Sequence, residues 1–302
     1  MGSLIGHVAA SFILCTAGIR HLACSFSSYA KSPRQYTGKP WYLLGNRWKN
    51  VDLWILLLFL PIATIFQVVW SFTSQPLANS AYRVAQLDQA AILVAFWVIA
   101  IALYLSRRTE ILPVGEELVF FIEGIAFVVE WMALTLASKE WMALASKEGA
   151  GLEAKCYNLL GWVSVVCGSS CLVLACRPGI PGSLWAEVSL GGGLTLQGTW
   201  LLQSGLTFLS TLLMPQGCHR SSAYAAVQCD LEEDKRRAAA LLDLAFICHT
   251  LLVLILGIFL CWIVGHKHGF IFPKDGDYTP ISAAETESEL VQMQPLPKFD
   301  IE

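Results

Sequence analysis

Three glutamates, Glu116, Glu123 and Glu130, recur every seven residues in an otherwise apolar stretch. Seven residues fall only about 20° short of two helical turns, so on an α-helix the three carboxylates share one stripe. Such a stripe suits three kinds of chemistry. It can relay protons or ions through a bilayer, it can join imidazoles around a divalent metal, or it can accept hydrogen bonds that fasten helices together. The imidazoles read at membrane depth are His7 and His249. A catalytic zinc site generally takes three protein ligands, so Glu123 or Glu130 would have to complete the set.

A second polar group lies in Leu196-Gln197-Gly198-Thr199-Trp200-Leu201-Leu202-Gln203-Ser204-Gly205. At 100° per residue, Gln197, Thr199, Trp200, Gln203 and Ser204 fall within an arc of about 160°. The surrounding run, 184–213, has no Lys or Arg and exceeds the roughly 20 residues that a helix needs to cross a bilayer. A polar face on such a helix must turn toward other helices or toward a water-filled cavity. With Gln89 in a third apolar segment, the candidate polar core is His7, Gln89, Glu123, Glu130, Gln197, Trp200, Gln203 and His249. No residue is assigned as catalytic, as a cofactor contact or as a metal ligand.

The elements that must position these groups are membrane helices. Of 302 residues, 55% are hydrophobic and 14% charged, and the mean hydropathy is +0.56. Soluble domains average about 25% charged residues. The apolar residues come in blocks, at 4–23, 51–72, 87–105, 114–136, 158–176, 184–213 and 238–264. The fold class is therefore all-α, a polytopic transmembrane helix bundle of about seven spans, with a membrane domain over 1–268. Pro61 falls inside the second block as a kink point. The partner is the lipid bilayer; no nucleic acid is implied by a net charge of −3. The first block lacks the basic flank and small-residue cleavage site of a signal peptide and reads as the first span.

Lys and Arg are slightly more numerous in the odd-numbered loops (Lys31, Arg34, Lys39, Arg107 and Arg108 among them) than in the even-numbered ones. That bias puts the N-terminus outside or luminal and the C-terminus in the cytosol. The segment 269–302 is acidic, poor in aromatics and rich in Pro, which predicts a disordered cytosolic tail. Within it Tyr278-Thr279-Pro280-Ile281 has the form of an endocytic sorting signal. Ten cysteines include no Cys-x-x-Cys pair; Cys218 and Cys229 share the sixth loop and can pair if that loop is luminal. Glu130-Trp131-Met132-Ala133-Leu134 recurs as Glu140-Trp141-Met142-Ala143-Leu144, a local duplication that lengthens an interfacial helix.

The enzyme classes have little to stand on. The chain has no Gly-rich phosphate loop with Lys, no Gly-x-Ser-x-Gly and no His-Glu-x-x-His, and no soluble domain that would house a cofactor. A multi-pass protein of unassigned role with a structural polar core leads, ahead of a proton- or ion-coupled transporter using Glu116, Glu123 and Glu130, and of a metal-dependent membrane hydrolase.

Gly6-His7, Glu123-Gly124, Gly151-Leu152-Glu153 with Leu159-Leu160-Gly161, Gln197-Gly198-Thr199-Trp200 with Gln203 and Gly205, and His249 resemble the transmembrane protein 45 family, its plant branch most closely. The resemblance implies about seven spans and no established activity. The family usually carries a His near the position of Gln89 and one or two His shortly after the fourth-span Glu, where this chain has Glu130-Trp131-Met132. These exchanges weaken a His-rich metal site but leave groups that still hydrogen-bond.

Overall fold

A computed structural model describes residues 4–33, 36–42, 51–73, 80–108, 115–148, 151–176, 183–210, 213–220 and 227–268. Each apolar block forms a helix, because a backbone in hydrocarbon must satisfy its own N–H and C=O groups. The seven are α1 (Leu4–Lys31), α2 (Val51–Thr73), α3 (Ser80–Arg108), α4 (Glu116–Glu148), α5 (Gly151–Cys176), α6 (Ser183–Phe208) and α7 (Glu232–Lys267). Between α6 and α7 a short antiparallel hairpin joins β1 (Cys218–Arg220) to β2 (Val227–Cys229), with His219 opposite Gln228. The protein is an all-α polytopic bundle, and the hairpin holds the only strands among the described residues. The predicted tail and its Tyr278 motif lie outside those residues.

Six helices are long and apolar enough to cross a membrane; α6 is not among them. Its composition explains this, since Glu187, Thr195, Gln197, Thr199, Gln203 and five glycines dilute its apolar residues. The bundle compensates by enclosing it. α6 runs antiparallel to α1, with Gly191 against Leu22, Gly198 against Ser11 and Cys15, and Gly205 against His7. It lies alongside α5 and α7 as well. α4 pairs closely with α5, α3 bridges α4 to α2, and α2 and α7 form the outer flanks. On those flanks Leu58, Ile255 and Ile258 are 61%, 66% and 71% exposed, the disposition of lipid-facing side chains.

Three apolar clusters fill the bundle. One joins Trp141, Leu152, Tyr157, Trp200, Phe208 and Leu242; another joins Phe120, Phe127, Cys167, Cys171, Leu174 and Leu190; the third sits between α2, α3 and α4 around Leu53, Leu60, Leu103 and Val119. The duplicated segment extends α4 as one continuous helix to Glu148. Ten residues rotate a helix by about 280° beyond two turns, so the two copies face different ways. Trp131 is exposed at 38%, whereas Trp141 is buried at 6% against the start of α5.

The α1–α6 seam is the closest helix approach that glycine permits here. A Cβ at Gly198 would stand 2.8 Å from Cys15 N and 2.9 Å from Ser11 O, both backbone atoms that cannot move aside. By contrast, nothing lies within 4 Å of a Cβ at Gly257 in α7. Gly198→Val should therefore destabilise the protein by about 1–3 kcal/mol or prevent folding. Gly257→Ala should be neutral or stabilising by up to about 1 kcal/mol. Thermal unfolding of both purified variants in one detergent measures the contrast.

Candidate functional site

Gln197 sits mid-way along α6 and is 2% exposed. Its amide Nε2 donates to Glu130 Oε2 of α4 at 3.2 Å and to Ser164 Oγ of α5 at 3.0 Å. Ser164 in turn donates to Leu160 O. One amide group thus joins three helices in the interior of the bundle. One turn on, Trp200 is fully buried, its Nε1–H donating to Cys156 O at 3.3 Å. Its ring meets Phe246 and His249 of α7 edge-on, at centroid distances of 5.1 and 6.1 Å. Glu130, Gln197, Trp200 and His249 are therefore gathered into one region, and α5, which the sequence reading left out of the core, supplies its central partner.

The other sequence-chosen residues go elsewhere. Gln89 of α3 donates to Tyr157 OH at 3.4 Å and accepts from Gln67 Nε2 at 3.1 Å, which makes a separate bridge from α2 through α3 to α5. Gln203 donates to Thr207 Oγ1 on its own helix. His7 packs on Gly205 in the α1–α6 seam. Away from that set, Asp243 in the N-terminal third of α7 pairs with Lys155 Nζ of α5 at 2.6 Å. The glutamate stripe does not act as a unit. Glu116 is exposed in the first turn of α4, where a carboxylate offsets the helix dipole. Glu123 is half-buried and makes no hydrogen bond to a described residue. Among the described residues no group of three or more His, Cys, Asp and Glu side chains converges as for a metal ion.

Two buried carboxylates outside the expected core prove equally central. Glu187, near the start of α6, is 0% exposed. Its Oε2 accepts from Tyr42 OH at 2.5 Å and from Tyr36 OH, and its Oε1 accepts from the Lys39 backbone N–H. All three donors come from the connector 36–42. A Cβ at Gly38 would stand 2.7 Å from Leu174 Cδ2 and 3.0 Å from Glu187 Oε1, so a larger residue there would displace the ends of both side chains. Arg20 of α1 reaches over the same connector, donating to Tyr42 O and lying 5.5 Å above the Trp41 ring. Burial first, and then the Glu187 carboxylate, push both phenols well above the ordinary tyrosine value of 10.0.

At the opposite end of the bundle Glu153 of α5 is 1% exposed, and its Oε1 accepts the Val227 N–H of β2 at 2.7 Å. The hairpin that carries Val227 is closed by a Cys218–Cys229 disulfide. Both carboxylates left a trace in the sequence: Glu187 is the single acidic residue in the run 184–213, and Glu153 lies just before the fifth apolar block. Their partners left none, because a phenol or an amide from a distant connector is placed by tertiary packing alone.

The model of the family described as "Family of unknown function (DUF716)" matches residues 116–262, which is α4 to α7 without the last turn. That is the family of the transmembrane protein 45 proteins. The chain is similar to it over just under half its length. The matched segment holds Glu130, Glu153, Ser164, Glu187, Gln197, Trp200, the paired cysteines and His249, whereas the donors Tyr36 and Tyr42 and the seam partner α1 precede it. No curated protein matches the chain.

The Glu187 seat predicts a pH dependence of defined sign. Folded-state phenol pKa values are raised, so the stability they lend is complete below about pH 10 and falls as pH rises further, while the unfolded chain releases protons that the fold retains. The slope should be at most about 1.4 kcal/mol per pH unit for each phenol. Unfolding followed from pH 9 upward measures it, and the double variant Tyr36→Phe, Tyr42→Phe should flatten it.

Proposed function

We propose that this multi-pass membrane protein is not an enzyme and that its intramembrane polar groups are structural fasteners. The observation that carries this reading is the closed set Gln197–Glu130–Ser164, in which one almost fully buried amide serves α4, α5 and α6 together. A transport path or an active site needs groups left open to a substrate, and this set is occupied by itself. Its biochemical role in the cell is unassigned, in keeping with a family of unknown function. The finer placement in the plant branch of the transmembrane protein 45 family rests on Gln197-Gly198-Thr199-Trp200 and the following Gln203.

We place the N-terminus outside or luminal and the C-terminus, with the segment from 269 onward, in the cytosol. The disulfide supports this orientation, since such bonds persist in oxidising compartments and the α6–α7 hairpin lies on the N-terminal side of the bundle. The small excess of Lys and Arg in odd-numbered loops points the same way.

A second reading, a proton- or ion-coupled transporter, is favoured by one observation: Glu123 lies at membrane depth without a hydrogen-bonded partner among the described residues. Reconstitution into vesicles enclosing a pH-sensitive dye separates the two. The structural reading expects no proton flux above that of empty vesicles. Flux that disappears in Glu123→Gln would overturn it in favour of transport.

Gln197→Leu should cost about 1–3 kcal/mol by leaving Glu130 and Ser164 without their donor, whereas Ser164→Ala should cost less, because Gln197 keeps its bond to Glu130. Thermal unfolding in detergent checks the order. For orientation, a thiol-reactive polymer added to intact cells should label Cys218 and Cys229 only after mild reduction, and a C-terminal tag should resist external protease.

A further inference from the structure

We infer that the outer ends of α6 and α7 form a binding site for an anionic glycerophospholipid. A cavity of about 290 Å³ lies between them, roofed by the connector that leads into the disulfide-closed hairpin. The volume is at the small end for ligand cavities, which run from about 300 Å³ upward, and suits part of one amphiphile. Its floor and walls are apolar, from Met214, Leu241, Leu242 and Ala245. Its polar groups are Arg237, Gln216, Gln203 and Thr207.

Charge selects the headgroup. Arg237 is the one charged side chain lining the cavity, and no acidic side chain lines it. Its Nη2 donates to Gln216 Oε1 at 3.2 Å, which fixes the guanidinium at the rim and leaves its remaining N–H groups for a phosphate diester. Gln203, whose Nε2 donates to Thr207 Oγ1, lines the cavity beside Thr207 and adds polar groups that suit a glycerol hydroxyl.

Position selects a lipid over a soluble anion. Arg237, Gln216 and Leu241 are exposed while Leu242 is buried, so the cavity opens at its rim and closes at its base. From Arg237 to Ala245 the lining covers about 12 Å of helix, at ~1.5 Å per residue, running from the membrane surface into the hydrocarbon. That is the polarity gradient of a lipid, a charged group at the interface and methylenes below it. The neighbouring α7 side chains Leu244 and Ile247 are exposed at 56% and 54%, so a lipid of the bilayer reaches the cavity by lateral diffusion. The site rests on the membrane placement of these helices; only its assignment to the outer leaflet depends on the orientation argued above.

The test is retention of lipid by the delipidated, detergent-purified full chain, counted by native mass spectrometry. Dioleoylphosphatidylglycerol should be retained at one molecule per chain, and dioleoylphosphatidylcholine about tenfold less, because its choline cation offsets the phosphate charge that Arg237 meets and it has no headgroup hydroxyl for the polar lining. Arg237→Gln should remove that preference, whereas Arg236→Gln, an exposed neighbour outside the lining, should keep it. Excess inorganic phosphate should not displace the lipid. Equal retention of the two lipids would overturn the proposal, as would an effect of Arg236→Gln as large as that of Arg237→Gln, or displacement by free phosphate. The comparison of the two lipids on the unaltered protein needs no variant, so a folding defect in either substitution leaves the proposal testable.

Discussion

A buried amide carries two N–H donors and a carbonyl, and hydrocarbon answers neither. Gln197 places its N–H donors on partners from two other helices, and the arrangement of the bundle accords with it. α4 and α5 must lie side by side for Glu130 and Ser164 to reach the same nitrogen, and α6 must lie against both. α6 is the one helix without a stretch apolar enough to cross a membrane, and more than half of its residues are buried; the two go together, since a helix this polar persists in a membrane only where its neighbours take the place of solvent.

The same logic governs the ends of the bundle. Glu187 and Glu153 are each held by backbone or side-chain donors from connectors, so those connectors are part of the packing rather than slack between helices. At one end two phenols, a backbone amide and an arginine fold residues 36–42 onto α1 and α6. At the other, a hairpin too short to be stable alone is closed by a disulfide and set on a carboxylate of α5. The bundle is thus pinned at its middle and near both faces by side chains that hydrocarbon alone would exclude.

The helical architecture was legible because hydropathy is a property of local sequence. Runs such as 51–72 and 238–264 admit no reading but a span, and the helices found there extend them by at most six residues at either end. The polar face of α6 was legible too, since Gln197 and Trp200 are close in sequence and share an arc. What periodicity hides is which distant groups meet. The seven-residue glutamate spacing suggested one functional stripe, yet Glu116 serves the helix terminus, Glu123 has no hydrogen-bonded partner among the described residues and Glu130 joins Gln197, because depth and neighbours differ along a helix of constant phase. Ser164, Tyr36 and Tyr42 looked ordinary in sequence and became important through helices and connectors far away along the chain.

The glycines at 191, 198 and 205 that seat α1 have a geometric consequence. They recur every seven residues, while a straight α-helix repeats every 3.6, so the contact line slips by about 20° with each step. For α1 to stay in that groove over its length, the two helices must wind about one another with a left-handed supercoil and cross at roughly 20°. The two axes cannot then both stand upright in a bilayer. α1 is about 42 Å long at 1.5 Å per residue, and a tilt imposed along the glycine track of α6 shortens the vertical reach of a helix longer than the hydrocarbon is thick.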